Sequence, residues 1–303
     1  MKRIPIILLA LGLMMAATTS CEQQYTTYQG PDYIMFAEAE QYYLVLEDQE
    51  YFGVKVSATQ PADKDRTFAV EVIDNGSNAI EGVHYRLLSN TVTIPAGELA
   101  TEVKVKGLYE NLTPTDSLGF VLRLVVPEQK KWDLYENSTE SKVVMYKSCP
   151  YDVNDFTGWA ILSSMLLRDY PGENAYYQRL VKTELHPTKE NTIIIREAFY
   201  DGYDVTLTFK GDDPEFPLVE MEADQVLSDE ASVLGWVLGD NHILGTNSPY
   251  YDSYFNSCQR FVVLWLQAYV EDLGEPVGTM GHFYNIIEWI SDEEAESMRP
   301  DFQ

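Results

Sequence analysis

Three cysteines and four histidines are the first residues in this chain whose types invite chemistry. His84, His186, His242 and His282 stand far apart, with no HExxH, HxH or Cys/His spacing, so no zinc site is expected. A G-x-S-x-G elbow is absent and Ser163-Ser164 fall inside an apolar run, which gives no support for a serine nucleophile. Cys149 and Cys258 lack the surroundings of a thiol protease, and no Walker or dinucleotide glycine pattern occurs. Carboxylates are abundant, at 48 Asp plus Glu. Glu220 with Glu222, and Asp201 with Asp204, are therefore the pairs to test for glycoside hydrolysis, which needs two carboxyls facing one cleft. With so many acids, pairs at this spacing also arise by chance. No catalytic residue, metal or cofactor is predicted.

The residues best suited to holding a ligand lie in NSPYYDSYFNS, residues 247–257. Tyr250, Tyr251, Tyr254 and Phe255 sit there, in what reads as a loop, among Asn, Asp and Ser. Flat rings beside short polar groups can stack on a sugar or a protein and hydrogen-bond it. Trp159, Trp236, Tyr176 with its neighbour Tyr177, and His282 are expected to join them at the mouth of a barrel. The plainer alternative is that these rings only plug the barrel end.

Composition narrows the partners. The 303 residues carry a formal charge of −27. That charge, with no basic patch interleaved with aromatics, argues against nucleic acid. A content of 45% hydrophobic and 13% aromatic residues describes a folded chain, and its length favours two domains.

The N-terminus begins with Lys2 and Arg3, continues apolar from Ile4 to Ala17, and reaches Cys21 through small residues. This layout is that of a secretory signal, and its apolar run is too short to span a bilayer. A small-residue stretch ending in cysteine resembles the bacterial lipobox, although Thr18 stands where Leu is usual. The resemblance implies removal of residues 1–20 and acylation of Cys21, and such multiply acylated anchors hold a protein stably at a membrane. The chain is thus expected to be exported and tethered to the outer membrane or cell surface. In an oxidising compartment Cys149 and Cys258 could pair, or both could be buried free thiols.

Residues 21–30 are polar and aperiodic, as a tether would be. From Tyr33 onward, short alternating runs recur: YFGVKVSA, TFAVEVID, TVTI, TEVKVKG, SLGFVLRLVV and SKVVMYK. Period-two alternation between turn residues predicts an antiparallel β-sandwich over 31–147. Within it, EGVHYRLLSNTVTIPAGELATEVKVKG resembles the Calx-beta type of immunoglobulin-like module. Gly82 would permit a tight turn, Tyr85 would plug the sandwich end, and Pro95-Ala96-Gly97 would reverse the chain. Some members of that family bind calcium through acidic loops. Here His84 occupies a usual Asp position and the later acidic stretch reads Gly107-Leu108-Tyr109, so calcium is not expected.

KSCPYDVNDFTGWA marks a boundary, and residues 148–303 again read as strands: 158–167, 175–184, 191–199, 204–209, 216–222, 233–238, 260–270 and 282–290. Tyr200-Asp201-Gly202-Tyr203 predicts a type I′ hairpin. Eight strands joined by local loops suggest an antiparallel meander, as a barrel or sandwich. Ser291 with Glu294 is a capping box opening a short terminal helix. The fold class is therefore all-β. The order of lipobox, Calx-beta-like module and Phe-Thr-Gly-led meander resembles an uncharacterised family of surface lipoproteins from gut-type Gram-negative anaerobes. That resemblance implies glycan capture or a structural role in a surface protein assembly. A non-enzymatic binding protein is the expected function, ahead of an assembly subunit and of a glycosidase.

Overall fold

The computed structural model describes residues 28–132, 138–171, 177–229, 242–272 and 275–302. Cys21, Tyr176, Trp236 and the predicted strand at 233–238 lie outside these residues. The described chain is all-β, with two hydrophobic cores and short helices.

The first core is a sandwich. One sheet orders β1 (Ile34–Phe36), β3 (Phe52–Ala58), β7 (Ala100–Gly107) and β5 (Tyr85–Leu87). The other orders β2 (Glu40–Val45), β9 (Glu140–Lys147), β8 (Leu118–Val125), β4 (Arg66–Ile73) and β6 (Thr91–Ile94). Alternation sends Phe52, Val54, Val56 and Ala58 of β3 inward against Phe120, Leu122 and Leu124 of β8. Tyr85 is 1% exposed and stacks on Phe120 with centroids 3.8 Å apart. Gly82 and Gly97 both have φ of +82°, a left-handed backbone that favours glycine at these turns. One pairing departs from the antiparallel expectation. β2 runs parallel to β9, setting Tyr42 opposite Val144 and Leu44 opposite Tyr146.

The second core fills a barrel. Its strands are β10 (Gly158–Ser164), β11 (Gln178–Leu185), β12 (Thr192–Arg196), β13 (Val205–Lys210), β14 (Leu218–Met221), β17 (Tyr254–Asn256), β18 (Phe261–Asp272) and β19 (Glu275–Ile290). They pair in that order, and β19 pairs antiparallel with β10 to close the ring. An eight-stranded ring is just wide enough to be filled by side chains. Phe156, Phe209, Phe255 and Trp289 supply rings at its centre, with centroids 4.6–5.5 Å apart for the contacts Phe156 makes with the other three. The buried Trp289 indole donates to Thr183 Oγ1 at 2.9 Å, and that hydroxyl donates to the Phe156 carbonyl at 3.0 Å. The Trp289 indole and the Thr183 hydroxyl are thus both satisfied inside the barrel, as burial requires.

β15 (Gln225–Ser228) and β16 (His242–Asn247) branch from the ring on the β18 edge. The seam beside them is closed by side-chain amides. Asn247 accepts from Met221 N at 3.0 Å, and Gln225 both accepts from Thr206 N and donates to Thr206 O. Each amide mimics a missing strand, which satisfies backbone groups that would otherwise be left over.

Three local expectations are corrected. The strand expected over 158–167 ends at Ser164, whose hydroxyl accepts from Leu167 N and caps the short helix α1 (Met165–Asp169). The turn at 200–203 is not type I′. Gly202 has φ of +85° but Asp201 has no positive φ, and type I′ needs both. Residues 247–257 are not a free loop, because they contain β17. The capping box at Ser291 does form, with Ser291 N donating to Glu294 and Glu294 N to Ser291 Oγ, and it opens helix α2 (Asp292–Met298).

Candidate functional site

The ring-bearing segment is fixed by its serines. Ser248 N donates to the Trp265 carbonyl at 2.9 Å, and Trp265 N donates to Ser253 Oγ at 2.9 Å. Both serines are buried. The residues between them are therefore held against β18, and alternation there points Trp265 outward between buried Leu264 and Leu266. Tyr284, opposite Trp265 on β19, also faces outward.

These constraints build a continuous aromatic surface on the outer wall of the barrel. Tyr251 stacks on Trp265 with centroids 4.3 Å apart and planes 28° apart. Trp265 meets Tyr284 edge-on at 5.1 Å. Tyr250 is 74% exposed and meets the His282 ring edge-on at 4.9 Å, while His282 Nδ1 lies 3.1 Å from Ser248 Oγ. Tyr254 is exposed beside Phe261, with centroids 6.5 Å apart. The Tyr284 hydroxyl is held above its ordinary pKa, chiefly by burial and then by Tyr254 and Glu288, so it stays a hydrogen-bond donor. A depression of about 350 Å³ lies beside Tyr284, lined also by Tyr177, Arg168, Met165 and Ile286.

Of the residues expected at one barrel mouth, Tyr250, Tyr251, Tyr254 and His282 do come together, but on the outer wall rather than the mouth. Phe255 does not join them. It is 2% exposed and packs in the barrel core against Phe156 and Phe209, because in β17 it alternates inward where Tyr254 points out. Trp159 is also elsewhere. It pairs with Ile290, eight positions along β19 from His282, or roughly 27 Å at strand rise. Its ring faces the chain's own cations, Lys182 at 5.7 Å and Arg299 at 5.3 Å. Trp265 and Tyr284 are the residues that sequence reasoning missed. Their signal was an outward position on alternating strands flanking the Tyr-rich segment.

The carboxylates tested for glycoside hydrolysis are exposed and individually paired. Glu220 meets Lys210, Glu222 meets Lys189, Asp201 meets Arg179 and Asp204 meets Arg196. None of the four lines the depression beside Tyr284. Among the described residues no group of three or more His, Cys, Asp or Glu side chains is placed to hold a metal ion. No described helix is long and apolar enough to cross a membrane.

A larger cavity, about 720 Å³, opens between the sandwich and the barrel. Its floor includes Cys149 and Cys258, joined as a disulfide with Cα atoms 5.0 Å apart. Tyr42 and Tyr146 stand on its sandwich side, on β2 and β9, with ring planes 16° apart. Nothing in the local pattern of either strand announces this cavity.

Fold and surface together define an all-β protein with two hydrophobic cores and a ring-bearing outer wall. The chain belongs to the family described as "Domain of unknown function (DUF4984)", whose profile matches residues 134–301. No curated protein matches it. Among solved structures, the apo-form Calx CBD1 domain is 15% identical, with 39% of this chain and 99% of that one covered at a TM-score of 0.31. A protein of unknown function from Bacteroides ovatus is 12% identical, with 84% and 89% covered and a TM-score of 0.34. An auxiliary nutrient binding protein from Bacteroides thetaiotaomicron is 12% identical, with 83% and 89% covered and a TM-score of 0.31.

Proposed function

We propose that this protein is a non-enzymatic, lipid-anchored surface protein whose barrel wall binds a glycan. The observation that carries the reading is the outward-facing ring set in which exposed Tyr250 and Tyr251 stand over half-buried Trp265 and Tyr284, on a segment fixed by Ser248 and Ser253. Rigid tyrosines bind at low entropic cost, because their contact area comes with few torsions to freeze. The formal charge of −27 opposes uronic or sulfated polymers, so the ligand class is a neutral polysaccharide. Acylation at Cys21 would hold the two domains at the membrane surface, within reach of extended chains.

The test is affinity electrophoresis of the chain bearing Cys21→Ser in gels containing neutral plant and host polysaccharides. Retardation by at least one, lost in Tyr250→Ala/Tyr251→Ala, is the expected result. No retardation by any, or retardation unchanged in the double variant, overturns the reading. Recovery of a stoichiometric protein partner from intact cells, with no glycan bound, favours the assembly-subunit role instead. Mass spectrometry of the native N-terminus tests the anchor: an acylated Cys21 is expected, and a free thiol there refutes it.

A further inference from the structure

We propose that the cavity between sandwich and barrel is a second saccharide site, distinct from the barrel wall and taking a neutral oligosaccharide. Its 720 Å³ lies within the range of small-molecule sites, and domain junctions are where such sites concentrate. Two tyrosines form its platform. Tyr42 is 60% exposed and Tyr146 is 38% exposed, with centroids 6.1 Å apart and planes 16° apart. These near-parallel, exposed rings on adjoining strands offer apolar faces on which the C–H-rich face of a sugar can stack.

The polar lining matches the rim of such a ligand. Glu47, Asp48 and Glu215 supply acceptors, and the Asn256 amide with the Ser148 and Ser257 hydroxyls supplies donors. A polyol needs both kinds. An organic cation would use the carboxylates and rings but leave the donors idle. Lys147 is the one Lys or Arg in the lining, and its ammonium already lies 4.1 Å above the Tyr109 ring. With three carboxylate residues in the lining, an anionic sugar is repelled.

The disulfide sets the geometry of this site. Cys149 closes the sandwich-to-barrel connection onto Cys258 at the turn between β17 and β18, and both cysteines line the cavity. Cys258 Sγ also approaches the Lys147 carbonyl at 3.6 Å. The two walls are thereby fastened to each other at the cavity floor. This inference shares its ligand class with the barrel-wall reading but stands on separate residues, so either can fail alone.

Isothermal titration of the oxidised chain bearing Cys21→Ser with neutral oligosaccharides of several linkages tests it. Two bound ligands per chain are expected, falling to one in Tyr42→Ala/Tyr146→Ala and, separately, to one in Tyr250→Ala/Tyr251→Ala. Both changes are at exposed side chains, and circular dichroism confirms that each variant remains folded. Glu47→Gln/Glu215→Gln should weaken only the class that Tyr42→Ala/Tyr146→Ala removes, by about tenfold. A single ligand lost with Tyr250 and Tyr251 refutes the cavity and leaves the wall standing. A single ligand lost with Tyr42 and Tyr146 does the reverse. Absence of saccharide binding overturns both, and binding of spermidine in place of sugar overturns the ligand class proposed for the cavity.

Discussion

Removing the Cys149–Cys258 disulfide should destabilise the barrel and spare the sandwich. The bond spans 109 positions in sequence, nearly all within the barrel, whereas the sandwich core lies between Ile34 and Met145. Cross-linking a loop of that length restricts the unfolded chain by roughly 4.8 kcal/mol at 25 °C on the chain-entropy account. At about 2–4 °C per kcal/mol for a unit of this size, the barrel transition should fall by roughly 10 °C or more. The comparison is Cys149→Ser/Cys258→Ser against the oxidised parent, both carrying Cys21→Ser, followed by scanning calorimetry. Reducing the parent should reproduce the variant's melt, and a transition assigned to the sandwich should stay in place. Protein purified from an oxidising compartment should show no thiol reactive to Ellman's reagent. Equal barrel melts within about 1 °C, or two reactive thiols in the native protein, would refute the reasoning.

Thr183→Val keeps the side chain's shape but leaves the Trp289 indole N–H and the Phe156 carbonyl without their 2.9 and 3.0 Å partner. A loss of about 2–4 kcal/mol in urea unfolding is expected, largely recovered in Thr183→Ser. Burial pushes Tyr43 and Tyr85 up to about 12. The unfolded chain ionises these phenols near 10, so the folded state binds more protons between those values. Their contribution to stability is complete below about pH 10 and is lost as pH rises through 12; absorbance at 295 nm should show part of the tyrosine titration delayed until alkaline unfolding. Ser291→Ala removes the capping-box hydroxyl that accepts from Glu294 N. It should cost about 1 kcal/mol, read as a small decrease in melting temperature.

The all-β class was legible in the sequence because alternation is a local property. Each run such as Phe52–Ala58 reports which residues turn inward, whatever strand it later pairs with. The turns at Gly82 and Gly97 and the cap at Ser291 were legible for the same reason, since their backbone needs are met within a few residues. The candidate site was legible only in part. Tyr250, Tyr251 and Tyr254 stood out by composition, but the inward turn of Phe255 depends on the register of a three-residue strand, too short for alternation to reveal.

What tertiary structure alone decided is which distant residues meet. Trp265 and Tyr284 become neighbours because β18 and β19 pair in one particular register. Tyr42 and Tyr146 become neighbours because β2 lies parallel to β9 across about a hundred residues of intervening chain. A strand's own alternation fixes its faces; its partner is selected by packing and hydrogen bonding across the whole core, information that no single stretch of sequence contains. The sequence by itself therefore determined that this protein is built of strands and that Tyr250, Tyr251 and Tyr254 cluster in one short segment. Closure of the barrel and the pairing of β2 with β9 decided which distant rings stand together.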